Sequence, residues 1–340
     1  MNNATTTNHQ AESSQPRNLN FEFRGDGMEY FKIWIVNVLL TIVTIGIYSA
    51  WAKVRSNRYF YSNTYLDNSN FRYLADPITI LKGRIIAVVA FIAYSVIASL
   101  FPLAGIVLLV ILLLAIPYFV NQSMAFNNRM SAYKNIQFRF SASYGEAFMV
   151  LYIWPILGML SLGILYPLAM LRMHQYQVRN SAYGTTKFEF GATYGNYGVI
   201  FLVLLGVGIM VGLPAWAIMT YVPEIAFISP VAIVLLYIGL ILFFMVRITN
   251  LFYCNLSIAG NQFVSRVTMP GLGKVMLINF FLTVITLGLY LPAAKVRATR
   301  YYCSCISLGA TGLLDTFAAA EKENISALGE EFGQVFDFGL

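Results

Sequence analysis

The sequence predicts an all-α polytopic membrane protein with internal repeats: four spanning helices plus three re-entrant or interfacial helical hairpins, with short β-hairpins on the cytoplasmic side. Seven spanning helices is the alternative. Three observations carry this expectation. Hydrophobic residues make up 58% of the chain and charged residues 11%, against about 25% charged in an ordinary soluble domain. One apolar-then-basic motif returns along the chain at fixed offsets. Every Lys and Arg lies in a linker or tail that can share one side of a bilayer.

Residues 1–20 are polar, without the apolar core of a signal peptide, and read as a disordered tail. Phe21-Glu-Phe23 puts two aromatics on one face of a short strand. The apolar stretch Tyr30–Trp51 follows and ends in Lys53-x-Arg55-x-x-Arg58. Residues 65–73 contain Asp67-Asn68, a hairpin turn pair, and end in Phe71-Arg72-Tyr73. Pro77–Leu100 and Leu103–Val120 form a pair of apolar stretches, each long enough or nearly so to cross about 30 Å at ~1.5 Å per residue.

The polar material then returns as Arg129-Met-Ser-Ala-Tyr133 to Phe138-Arg-Phe140, and again as Arg179-Asn-Ser-Ala-Tyr183 to Phe188-Glu-Phe190. The single apolar stretch Ala147–Leu171 lies between them. A second pair follows, Gly198–Tyr221 and Ile225–Val246, and Val275–Ala294 is the last apolar stretch.

Thr44, Gly46, Lys53, Arg55, Arg58 and Tyr59 recur 242 residues later as Thr286, Gly288, Lys295, Arg297, Arg300 and Tyr301. A weaker copy at offset 117 keeps Ser161, Gly163, Arg172 and Tyr176. Arg55, Arg172 and Arg247 each stand 16 residues before a phenylalanine, and Arg297 stands 16 before Leu313. The expected order is therefore A 21–76, B 77–137, A 138–197, B 198–262 and A 263–314, with an acidic tail at 315–340. Leu328, Phe332, Val335 and Phe336 share a face if that tail is helical.

If all seven apolar stretches cross, the basic residues divide almost evenly. If only the B pairs cross and each A stretch returns, all 22 Lys and Arg fall on one side, as the positive-inside rule prefers. Phe31–Thr44 is about 21 Å of helix, too short to span upright. Gly46, Gly163 and Gly288 stand where a break would fall.

The chain carries no recognisable catalytic constellation, metal set or cofactor motif. His174 stands apart from other ligating residues, Cys303-x-Cys305 has the wrong spacing for a redox or zinc pair, and Gly25-x-Gly27 lacks the third glycine of a dinucleotide site. No enzyme is expected. The net charge of +7 sits beside apolar segments, so it implies anionic lipid headgroups on the cytoplasmic side rather than nucleic acid. Two residue sets are candidates for function. Asn37, Thr41 and Thr44, and their counterparts Asn279, Thr283 and Thr286, share one helix face and would line a polar path or pack helices together. Lys53, Arg55, Arg58, Arg172, Arg247, Lys295, Arg297 and Arg300 would contact lipid headgroups or anions, or anchor the helices. A transporter or channel for a small or amphipathic solute is the first functional expectation, by analogy with broken helices around pseudo-symmetry. A lipid-binding or membrane scaffold protein is the alternative.

Phe21-Glu-Phe23-Arg-Gly25-Asp-Gly27-Met-Glu29-Tyr-Phe31 resembles the opening of the YjgN-type bacterial inner-membrane proteins. Gly46-Ile-Tyr48-Ser-Ala-Trp51-Ala-Lys53-Val-Arg55 and the stretch from Gly329-Glu-Glu-Phe through Phe336-Asp-Phe338-Gly339-Leu340 are also similar to that family. The resemblance implies a bacterial inner membrane and transfers no mechanism. The middle copy departs from the pattern, with Met170 in place of Lys53 and Lys295 and Gln175 in place of Arg58 and Arg300.

Overall fold

Among the described residues ten strands close into an antiparallel barrel, and five helical hairpins leave one end of it. The computed structural model of the chain describes residues 17–221, 229–310, 318 and 321–323. The strands are β1 (Arg17–Phe23), β2 (Thr64–Leu66), β3 (Ser69–Tyr73), β4 (Ser131–Tyr133), β5 (Ile136–Phe140), β6 (Ser181–Tyr183), β7 (Thr186–Phe190), β8 (Leu256–Ile258), β9 (Asn261–Ser265) and β10 (Ile306–Ala310). Each pairs with its neighbour in sequence, and β10 closes on β1 with Arg17 opposite Ala310 and Asn20 opposite Ser307.

The barrel overturns the all-α expectation. The local hairpins at 65–73, 131–140 and 181–190 are present, but they do not stand alone. Each bonds to the ribbon on either side, with Phe71 opposite Tyr133 and Phe138 opposite Tyr183. The seam between β1 and β10 joins the two ends of the domain, and no local pattern announces so distant a pairing. Residues 17–20, expected in the tail, are half of that seam. Ribbon turns at Asp67-Asn68, Lys134-Asn135 and Ala259-Gly260 have positive φ at both positions, the geometry that matches strand twist.

Between the ribbons stand five helix pairs: α1 (Gly27–Val43) with α2 (Ser49–Ser62), α3 (Pro77–Leu100) with α4 (Pro102–Arg129), α5 (Tyr144–Leu160) with α6 (Tyr166–Arg179), α7 (Tyr194–Tyr221) with α8 (Ser229–Cys254), and α9 (Met269–Ile285) with α10 (Leu291–Cys305). Neighbouring pairs touch in ring order, and α10 reaches α1 to complete the circle. Helix starts follow their sequences. Asp26 accepts from the Met28 and Glu29 amides, Ser143 and Glu146 form a capping box, and Pro77, Pro102, Pro167 and Pro292 fill first-turn positions. A π-turn at Met149–Ile153 in α5 runs up to Pro155, which has no N–H to continue the ladder.

Among the described residues four helices, α3, α4, α7 and α8, are long and apolar enough to cross a membrane. In the three remaining pairs the first helix is at most 17 residues long before the chain turns back. Their turns are alike: Ile45, Leu162 and Leu287 have φ of 50°, 52° and 51°, followed by Gly46, Gly163 and Gly288 at 87°, 94° and 92°. A side chain is strained at the second φ, which accounts for the glycines. The tip residues Ile45, Leu162 and Leu287 are 94%, 95% and 93% exposed.

Backbone groups at the tips are nonetheless paired. Gly46 N–H donates to Thr41 O (2.7 Å), and Gly163 and Gly288 do the same to Gly158 and Thr283. An exposed apolar turn with its own hydrogen bonds satisfied suits lipid rather than water. Arg84, the last charge of α3 before the uncharged run Ile85–Leu100, donates to Ser49 in the first turn of α2. The tip of the first short pair therefore sits beside the start of that run.

Candidate functional site

Two regions combine shape with chemistry: the barrel interior and the grooves at the feet of the helix pairs. The interior is organised by one phenylalanine from each ribbon, Phe21, Phe71, Phe138, Phe188 and Phe263. All point inward, because each occupies the same parity of its strand. Neighbouring rings stack at 6.2 Å (Phe21–Phe71), 6.4 Å (Phe21–Phe263) and 6.3 Å (Phe138–Phe188). The layer nearer the ribbon turns holds Leu66, Tyr133, Tyr183, Ile258 and Leu308 at equivalent positions. The tyrosine hydroxyls are committed: Tyr133 Oη donates to Leu66 O (2.7 Å) and Tyr183 Oη to Tyr133 O (3.0 Å). Together these side chains, with Leu256 and Asn261, line an apolar cavity of about 260 Å³.

The turn end of the barrel is covered by residues from near the C-terminus. Ala318 packs into the same apolar cluster. Glu321 is buried; it accepts from the Thr185 amide, and its Oε2 from Thr186 Oγ1 at 2.9 Å. Burial pushes the Glu321 carboxyl up, and the bonds from Thr185 and Thr186 outweigh that and hold it below the usual value. The tail residues Leu328, Phe332, Val335 and Phe336 lie outside the described residues.

Two of the grooves lie between the helices of one pair, α5–α6 and α7–α8, and the third lies between α2 and strand β3. One of about 630 Å³ is lined by Arg55, Arg58 and Arg72, one of about 500 Å³ by Arg172, Arg179 and Glu146, and one of about 680 Å³ by Arg247, Asn250 and Asn196. Arg172 stacks on Trp154 at 5.5 Å, Arg247 on Phe243 at 5.5 Å and Arg297 on Tyr290 at 5.3 Å. Such stacking orients a guanidinium without consuming its donors. Lys295 lies over the Phe60 ring at 4.4 Å, and Lys53 is exposed.

Arg58 and Arg300 do something else. Arg58 Nη2 donates to Ala75 O (3.0 Å) and Arg300 Nη2 to Gly25 O (2.7 Å). Asn250 makes the corresponding bond to Val267 O (2.8 Å). These side chains tie a helix to the segment leaving the barrel. Tyr59 and Tyr301 add a second tie, each exchanging bonds with the backbone of the residue that caps its partner helix, Asp26 at 2.8 Å and Thr268 at 3.2 Å.

The residues expected to line a polar path are mostly occupied by their own helices. Thr41 Oγ1 donates to Asn37 O (2.6 Å), Thr44 Oγ1 to Leu40 O (2.7 Å) and Thr286 Oγ1 to Leu282 O (2.6 Å). Thr44 and Thr286 also accept from the Tyr48 and Tyr290 amides, at 2.9 and 3.0 Å, so they cap the returning helix. Thr283 contributes its carbonyl to the turn. Asn279 Nδ2 donates to Ala294 O (3.0 Å), and its Oδ1 accepts from Arg297 at 3.4 Å. Asn37 is buried, and neither atom of its amide has a partner among the described residues.

His174 Nδ1 meets Tyr197 Oη at 2.5 Å inside an aromatic cluster with Phe190 and Phe252. Burial pushes its imidazole down to about 4. The phenylalanine ring, Glu321, Arg72 and Arg179 were not singled out from sequence as site residues. The recurring Phe-x-Phe and its 16-residue spacing to arginine were the signal for the first of these.

A family model described as "Bacterial protein of unknown function (DUF898)" matches residues 18–335. The chain is 30% identical over 158 residues to the inner membrane protein YjgN of Salmonella typhimurium (strain LT2), covering 46% of this chain and 40% of that one. It is 31% identical over 152 residues to the inner membrane protein YjgN of Escherichia coli (strain K12), covering 43% and 37%. The chain thus spans about two-fifths of the length of these curated relatives. No solved structure matches it.

Proposed function

Because the chain belongs to the DUF898 family of bacterial proteins of unknown function, with relatives in the inner membrane, we propose that it is a lipid-binding membrane protein that acts by binding rather than catalysis. Its barrel rests against the cytoplasmic leaflet, both termini are cytoplasmic, and α3–α4 and α7–α8 cross as two hairpins. All five helix pairs with their ribbons are copies of one element, in which the A and B segments differ only in helix length. The observation that carries the lipid reading is the placement of arginine. Arg55, Arg172, Arg247 and Arg297 occupy one position in four of the five units. Three of them open into grooves at the helix feet, where a phosphate-bearing headgroup would meet a guanidinium, which at Arg172 and Arg247 is held beside an aromatic ring.

The test is native mass spectrometry of phosphatidylglycerol retained by the purified protein. Replacing Arg55, Arg172, Arg247 and Arg297 by Gln is expected to lower retention by about fivefold per site, the equivalent of ~1 kcal/mol for each basic residue at an anionic surface. Arg300→Gln is expected to lower the melting temperature and leave retention unchanged, since that guanidinium bonds the Gly25 carbonyl and lines none of the three grooves. Full retention in the fourfold variant contradicts the proposal. Transport of a small or amphipathic solute is the second reading. It is favoured by Asn37, whose buried amide lacks a partner among the described residues, and disfavoured by Thr41, Thr44 and Thr286, whose hydroxyls are already bonded.

A further inference from the structure

We propose that the barrel interior is a binding site for one hydrocarbon chain, an acyl or alkyl tail, closed at its far end by Ala318 and Glu321–Glu323 acting as a lid. The site is separate from the arginine grooves and stands or falls independently of them. Its walls decide the ligand class. Five phenylalanine rings and the aliphatic side chains of Leu66, Leu256, Ile258 and Leu308 face the cavity, with the two tyrosines and the Asn261 amide as its polar members. The hydroxyls of Tyr133 and Tyr183 are spent on the carbonyls of Leu66 and Tyr133. A cavity so lined gives water few partners, and apolar cavities stay dry and take apolar guests.

Size narrows the guest further. A barrel of about eight strands is just filled by its own side chains, and ten strands leave a lumen. The 260 Å³ found here exceeds the ~150 Å³ that admits a benzene ring and falls short of the roughly 300–1,000 Å³ of a drug-sized pocket. A segment of a flexible chain fits that range, and the source lies beside it, because the opposite end of the barrel faces the helix pairs and the lipid.

The lid is specific at its contacts. Ala318 packs against the turn-side layer of the barrel. The Glu321 carboxylate is gripped by the Thr185 amide and the Thr186 hydroxyl. Gly184 leaves the room: a Cβ there would collide with the Glu321 side chain, and its φ of +62° already disfavours other residues. One carboxylate and one glycine thus set whether the far end is shut.

The experiment uses the full chain in lipid nanodiscs and palmitic acid carrying a diazirine at its methyl end. After photolysis, labelled peptides are mapped by mass spectrometry. Label is expected on the ribbon strands, at Phe71, Phe138 or Phe188, as well as on α3, α4, α7 and α8. Ile258→Trp and Leu66→Trp, which fill the lumen, are expected to cut strand labelling by about tenfold while labelling of the long helices persists as the control for insertion. Glu321→Gln and Gly184→Val are expected to speed strand labelling several-fold. Label confined to the long helices of the unaltered protein overturns the proposal. So does strand label that survives both filled variants, or that excess unlabelled palmitic acid does not displace. Unchanged labelling rates in both lid variants overturn the lid.

Discussion

Leu308→Pro is expected to unfold the barrel seam and to lower stability by about 3 kcal/mol or more. Leu308 sits in the middle of β10, 4% exposed, with Leu19 of β1 on one side and Phe263 of β9 on the other. Proline removes a ladder donor and cannot sit in an interior strand of a closed sheet. It also removes a buried leucine from the turn-side layer of the lumen. Two unrelated losses therefore fall on one residue, and both act where the ends of the domain meet. The expected outcome is a melting temperature in detergent lowered by many degrees, with rapid proteolysis after Phe23 or before Ile306. Leu308→Met, which keeps volume and the N–H, is the matched control and is expected to stay within about 1.5 kcal/mol. Equal melting of the two variants would mean that β10 does not complete a sheet.

Phe23→Ala is expected to cost about 3–5 kcal/mol, the range for emptying a buried aromatic site. Phe23 is 6% exposed and stacks on Phe60 at 5.5 Å. It packs with Tyr30 and Tyr59 of the first helix pair and Val296 of the last. Gly25 lies so close that a Cβ there would come within 2.6 Å of the Phe23 ring. The ring thus joins strand β1, α1–α2 and α10, and its removal loosens the place where the circle of helix pairs closes. Phe281→Ala, on a residue 54% exposed, gives the comparison and is expected to change stability by less than about 0.5 kcal/mol. A small effect at Phe23 would show that the first and last pairs hold together without it.

Much of this was legible in the sequence. The short ribbons announced themselves through Asp67-Asn68 and through Phe-x-Phe, because turn chemistry and a period of two are local. The returning A stretches were legible through Gly46, Gly163 and Gly288, whose positive φ is a property of one residue. The barrel was not, since β10, Ile-Ser-Leu-Gly-Ala, carries no turn signal of its own and pairs with residues almost 300 positions away. The split among the basic residues was also hidden. Arg55 and Arg58 look alike in sequence and line one groove, and only the fold shows that Arg58 also bonds Ala75 O. Thr44 was misleading for a related reason: its place on one face with Asn37 suggested a path, and its hydroxyl is spent on the turn that follows.

The central claim is that five helix pairs are held in a ring by a closed barrel, with β1 bonded to β10. The direct measurement is a disulfide between Asn20→Cys and Ser307→Cys, which face each other across that seam, in a chain with Cys254, Cys303 and Cys305 replaced by Ser. Opposed residues of an antiparallel pair lie about 4.5–5.5 Å apart at Cα, within reach of a disulfide. The account predicts near-complete oxidation to a monomeric, faster-migrating species that survives cleavage in the middle of the chain. A pair placed on strands that do not adjoin, Asn20→Cys with Gln137→Cys, should stay reduced under the same conditions. Failure of the Asn20–Ser307 pair to close in folded protein, or equal closure of the control pair, would contradict the ring.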